Sequence, residues 1–128
     1  MNGPAPKRLR WIASAHKDLC EFPAEVQRLM GFALYLAQTG GKHPTAKPLR
    51  GFHGAGVLEV VDDFDGDAFR TVYTVRFEDA VYVLHAFQKK SKTGIATPKH
   101  DLDLVQERYE AAKRDYALRH ASRAGGER

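Results

Sequence analysis

Lys89, Lys90, Lys92 and Lys99 fall within residues 86–100, a stretch that holds no carboxylate. The remainder of the chain is nearly balanced. Residues 1–85 carry ten basic and ten acidic side chains, Asp101 adds one acid, and residues 102–128 carry six basic and five acidic. The formal net charge of +4 therefore comes from that one stretch. A local positive field attracts phosphate groups, and its pull weakens with salt. Crowded ammonium groups also disfavour one another's protonation, so one member of such a cluster is able to act as a base or an acid. The plainer reading is a solvated lysine loop. A second cation stands out in "AFRTVYTVRF" (68–77), which alternates like a strand. Arg70 lies mid-strand, where a charged group must face a cavity or solvent. A guanidinium fork matches phosphate geometry, which makes Arg70 a candidate clamp; an ordinary exposed strand arginine is the alternative.

Other reactive residue types give weaker signals. His85 alternates with Val83 and Phe87, as a satisfied, partly buried histidine would. Phe87 itself is either core or a platform for stacking a base. His100, beside Lys99 near a helix start, is placed to donate a proton or to be an ordinary first-turn residue. Lys47, Arg50 and Arg76 are further candidate contacts for a phosphate backbone. His43 and His53 lack ligand spacing, so no metal site and no cofactor are expected. No Gly-rich phosphate loop, paired carboxylates or Ser/His/Asp arrangement occurs. The single cysteine, Cys20, sits among apolar residues and reads as small core filler. With no partner for a disulfide in the chain, a reducing compartment is expected. Lys7, Arg8 and Arg10 are not followed by an apolar segment, and no run approaches the ~18 apolar residues of a membrane span. The expectation is a cytoplasmic protein with no membrane partner.

The elements that must position these residues follow from periodicity. At 128 residues, 43% hydrophobic and 28% charged, the chain suits one domain with a modest core. "RLRWIAS" (8–14) reads as a short strand. Ser14 is placed to cap a helix over 15–22, and Pro23 fits the first position of a second helix. There Val26, Leu29, Met30, Ala33, Leu34 and Ala37 form one apolar face, ended by Gly40-Gly41. The two helices are expected to form a hairpin. Residues 41–56 read mostly as loop. "VLEVVDDF" (57–64) is a strand, Asp65-Gly66 a hairpin turn, 68–77 a second strand, and "AVYVLHAFQKK" (80–90) the most apolar strand. Thr97-Pro98 opens a helix carrying Leu102, Val105, Tyr109, Ala112 and Tyr116. The order β-α-α-β-β-β-α predicts an α+β fold: an N-terminal strand and helical hairpin, then an antiparallel meander and a C-terminal helix. The domain is expected to span 1–118, with 119–128 a flexible tail.

This order, together with three local sequences, resembles the RelE/ParE toxin superfamily, and within it the phage-derived HigB-like branch. "KPLRGFHGAGVLEV" (47–60) is similar to the family's Lys-Pro-Leu, Gly-rich turn and Leu-Glu strand. "DAFRTVYTV" (67–75) is similar to its Tyr-Arg-Val-Leu-Tyr strand, with Phe69 in place of Tyr. "VLHAFQKKSKTGIATPKHDLDLVQER" (83–108) is similar to its Leu-Leu-His-Gly-Phe strand, lysine run and Thr-Pro helix start. The insertion "GIA" (94–96) departs from the pattern by lengthening the loop before Thr97. The resemblance, covering roughly 8–116, implies the toxin of a type II toxin–antitoxin pair. Such a toxin is a metal-independent mRNA endonuclease, commonly acting on the ribosome, neutralised by a cognate helix-turn-helix antitoxin. It points to Arg70, Lys89, Lys92 and His100 as catalytic, and to Lys47, Arg50, Arg76, Phe87, Lys90 and Lys99 as RNA contacts. Two other readings share the fold: a ParE-like inhibitor of DNA gyrase, and a non-catalytic phage-derived binding module.

Overall fold

The protein is described here by a computed structural model covering residues 5–52, 54–89 and 96–126, with side chains of the last helix described to residue 121. Along the chain come β1 (Arg8–Trp11), α1 (Ala15–Cys20), α2 (Ala24–Gln38), β2 (Lys47–Pro48), β3 (Val57–Phe64), β4 (Asp67–Thr74), β5 (Ala80–Lys89) and α3 (Lys99–Gly126). One five-stranded sheet has the order β1-β5-β4-β3-β2. β1 runs parallel to β5, and the other neighbours are antiparallel. The α+β fold expected from the sequence is thus present.

The meander forms where its turn chemistry directs. Asp65 and Gly66 both take positive φ, 55° and 88°, which matches the right-handed twist of the strands they join. Alternation then sends successive residues of β4 to opposite layers. Phe69 and Tyr73 pack with Val60 and Val83 against Leu19, Val26, Met30 and Leu34 of α1 and α2. Val72 faces the other way and packs with Val57, Tyr82 and Leu84 against Val105, Tyr109 and Ala112 of α3. The sheet is therefore covered on both faces, with its two cores separated by the strands.

Several local features depart from the periodic reading. Lys47–Pro48 is a short edge strand rather than loop, with Lys47 opposite Glu59 and Pro48 opposite Leu58. A proline is tolerated there because an edge strand needs no ladder N–H on its open side. The β4–β5 pairing shifts by one residue between Val72, which faces His85, and Tyr73, which faces Val83. Leu84 is the extra residue, so Leu84 and His85 both serve the α3 side. Cys20 is exposed, not core. α1 turns Ala15 and Leu19 onto the sheet, and the next residue along the helix points away. α3 also runs on to Gly126, past residue 119, with Arg119 paired to Asp115 at 2.7 Å.

Candidate functional site

Arg70 lies opposite Val61 of β3 and Phe87 of β5, on the sheet face shared with α3. Glu59 and Asp63 flank Val61 on that same face, each one diagonal step from Arg70, a distance that long side chains bridge. The guanidinium is buried, with 5% of its side chain exposed against 13% for Glu59. Arg70 Nη1 donates to both Glu59 carboxylate oxygens at 3.4 Å. It also donates to Thr97 Oγ1 at 3.2 Å, while that hydroxyl donates to Glu59 Oε2 at 2.8 Å. A cation, a carboxylate and a hydroxyl from β4, β3 and the segment before α3 thus form a closed triangle.

The triangle borders a cavity of about 680 Å³. Its apolar lining is Pro44, Pro48, Leu49, Val61, Ala96 and Leu102, and its polar groups are Thr45, Lys47, Arg50, Glu59, Asp63, Arg70 and Thr97. The volume lies within the range of sites that hold small ligands or parts of larger ones. Three cations singled out in the sequence, Lys47, Arg50 and Arg70, therefore meet at one cleft. The edge strand is what brings Lys47 there, by pairing it with Glu59.

The other candidates distribute unevenly. Lys89 ends β5 opposite Ala68, on the Arg70 face but outside the cavity lining. Lys90 and Lys92 lie outside the described residues. Lys99 is exposed and pairs with Asp103 at 2.9 Å, one helical turn away; His100 is exposed beside it. Arg76 does not line the cavity: it follows β4 at the far end, and its Nη1 donates to the Tyr109 hydroxyl at 2.7 Å. Phe87 is half-buried and stacks on His85, with ring centroids 4.6 Å apart and planes 22° apart.

His85 is 6% exposed and engaged at both ring nitrogens. An arginine only donates, so Nδ1 must accept from Arg108 Nη1 at 3.3 Å. The neutral ring then carries its proton on Nε2 and donates it to Asp101 Oδ1 at 2.8 Å. Burial holds the imidazole below its ordinary pKa; the hydrogen bond to Asp101 acts against that, and Arg108 reinforces it. Arg108 also donates to the Leu84 carbonyl at 3.1 Å and to Ser14 Oγ at 3.4 Å. His85 thus fastens the first turn of α3 to the sheet and is not itself open to a ligand.

Glu59 is the site residue that the reading of the sequence missed. Its signal was present in the "LEV" strand, but its meaning depends on the β3–β4 register. Among the described residues, no group of His, Cys, Asp and Glu is placed to hold a metal ion, and no helix is long and apolar enough to cross a membrane.

A family profile described as phage-derived protein Gp49-like matches residues 17–110. The chain is also similar to the crystal structure of the toxin–antitoxin complex RelBE2 from Mycobacterium tuberculosis. That similarity has 19% sequence identity and a TM-score of 0.44, covering 71% of this chain and 100% of that chain. No curated protein matches the chain.

Proposed function

The chain belongs to the phage-derived Gp49-like family, and from that membership and the cleft at Arg70 we propose that it is the toxin of a type II toxin–antitoxin pair, cleaving mRNA on the ribosome. The observation that carries this reading is the buried Arg70 guanidinium, set beside a carboxylate at a cleft rimmed by Lys47 and Arg50. Those groups suit cleavage through the RNA's own 2′-hydroxyl. Glu59 takes the hydroxyl proton, and the O2′–P bond forms as the P–O5′ bond breaks. Arg70 offsets the charge that builds on the equatorial phosphate oxygens. Lys89 or His100 returns a proton to the leaving 5′-oxygen, leaving a 2′,3′-cyclic phosphate. Base, acid and counter-charge are all side chains, so this route calls for no metal. Lys47 and Arg50 hold the flanking backbone, and the lysines that follow β5 extend the positive field. A cognate antitoxin with a helix-turn-helix domain would neutralise the toxin, and the HigB-like branch is the closer fit to the sequence motifs.

One observation favours a different reading. Arg70 is already ion-paired with Glu59, as a structural arginine in a gyrase inhibitor or a non-catalytic module would be. Induced expression of the wild-type chain, Glu59→Gln, Arg70→Lys and Lys47→Ala/Arg50→Ala, with growth and mRNA 5′ ends mapped together, separates the readings. Growth arrest with new mRNA cuts, both lost in folded Glu59→Gln and Arg70→Lys, is the expected result. Arrest with intact mRNA would point to gyrase or another protein target. No arrest at verified expression would point to a binding module.

A further inference from the structure

Glu59 and Arg70 are long side chains on neighbouring strands, and each retains several rotatable bonds that backbone pairing does not fix. Their direct contact is loose. At 3.4 Å it exceeds the roughly 2.7–2.9 Å of a tight charge-assisted hydrogen bond. The short contacts run through Thr97, at 2.8 Å to the carboxylate and 3.2 Å to the guanidinium. A hydroxyl has one proton to give and lone pairs to receive, and here both capacities are used in the only consistent direction. Threonine also adds a stiff χ1, because its Cβ is branched. Thr97 lies immediately before Pro98 and α3, 38 residues from Glu59 and 27 from Arg70 in sequence. Leu102, in the first turn of α3, packs against the core and lines the same cleft.

We propose that Thr97 is a positioning residue: its hydroxyl holds the Glu59 carboxylate and the Arg70 guanidinium in register across the cleft, and so ties the docking of α3 to the competence of the site. It touches no reacting atom and works through the two groups that do. The kinetic part of the proposal rests on the nuclease reading above.

The test compares the full-length wild-type chain with Thr97→Val, which keeps shape and branching but loses the hydroxyl, and Thr97→Ser, which keeps the hydroxyl. Three readouts are taken: cleavage of mRNA on programmed ribosomes, thermal midpoint, and the ¹⁵N–H signals of the Arg70 guanidinium. Small misplacements at a reacting centre cost up to about 100-fold in rate. Thr97→Val is therefore expected to lower kcat by about 10- to 100-fold, with KM within about twofold. Thr97→Ser should recover most of the loss. The Arg70 Nη signals, resolved while the group is clamped, should broaden in Thr97→Val and return in Thr97→Ser. An unchanged kcat in Thr97→Val overturns the proposal. So does a loss that follows the thermal midpoint and is not rescued by serine. If the wild-type chain cleaves no RNA, the nuclease reading fails by itself. The Arg70 signals then decide on Thr97, and identical spectra in wild type and Thr97→Val reject it.

Discussion

A guanidinium with 5% of its side chain exposed does not readily tolerate the loss of its carboxylate. Removing one partner of a buried pair leaves an uncompensated charge, which costs about 3–5 kcal/mol, whereas replacing both with apolar groups is often close to neutral. Glu59→Ala and Arg70→Ala are therefore expected to lose about 3 kcal/mol each in urea denaturation, and Glu59→Leu/Arg70→Met clearly less than the sum. Additive losses would mean that the two side chains do not depend on each other. The same consideration is why Glu59→Gln and Arg70→Lys are better probes of activity than truncations. His85 gives a second prediction at this scale. Burial lowers its folded pKa below the ordinary value of 6.5. The unfolded chain thus takes up the proton first as pH falls. Stability should be flat above that value and decline below it, down to the folded pKa. Denaturation at pH 7.5 and pH 5.5 should show this drop in the wild type. The drop should be smaller in His85→Gln, in which no imidazole titrates between Asp101 and Arg108, with the charge of Asp18 as a weaker influence favouring protonation. An equal drop in both proteins would assign the pH dependence to other groups.

At the level of elements, the entry into β3 holds the cleft in shape. Gly56 has φ of +66°, and a Cβ there would meet the Arg76 backbone at 3.2–3.3 Å. Its carbonyl accepts from Val75 N–H at 2.9 Å, and the next residue's carbonyl accepts from Leu49 N–H at 3.0 Å. Gly56→Ala adds strain in the left-handed region and a backbone contact that cannot relax by rotating a side chain. It is expected to cost about 1–3 kcal/mol in urea denaturation, and to weaken RNA binding by shifting the Lys47–Arg50 segment. A variant as stable as the wild type would show that this segment adapts freely. The turn itself was legible in the sequence, as was most of the fold. Strands 57–64 and 80–89, the Asp65-Gly66 hairpin and the long α2 all follow from alternation, 3.6-residue periodicity and turn residues. What was not legible depends on pairing between distant segments. The Lys47–Pro48 strand is too short and too proline-marked to carry a period. The bulge at Leu84 exists only relative to β4. Glu59 becomes a partner of Arg70 only once β3 and β4 are in register. Arg70 itself could be found because a charge in the middle of an alternating strand conflicts with its neighbours. Arg76 has the same local pattern, yet ends against Tyr109, because the chain leaves β4 after Thr74.

Across the whole molecule, the formal excess of four positive charges is uneven. The cleft is itself mixed in sign, since Glu59 and Asp63 line it beside Lys47, Arg50 and Arg70. A single-stranded RNA bound there would be drawn by the cations at the rim of the cleft, not by a uniformly basic face. Counterion release turns this into a measurable slope, with log K falling by about 0.7 per phosphate contact for each unit of log salt on single strands. If Lys47, Arg50, Arg70 and Lys89 each engage one phosphate, the slope is about −3, and affinity falls about fiftyfold between roughly 50 and 200 mM salt. Lys47→Ala/Arg50→Ala should flatten the slope to about −1.4, which is about sevenfold over the same range. Fluorescence anisotropy with a short labelled RNA, titrated at several salt concentrations, gives both slopes. Equal slopes would remove Lys47 and Arg50 from the RNA path even if the double variant bound more weakly. The geometry leads us to expect unequal ones. Both residues border the cleft that Arg70 faces, and β2 holds Lys47 directly across from Glu59, the carboxylate we propose as the base.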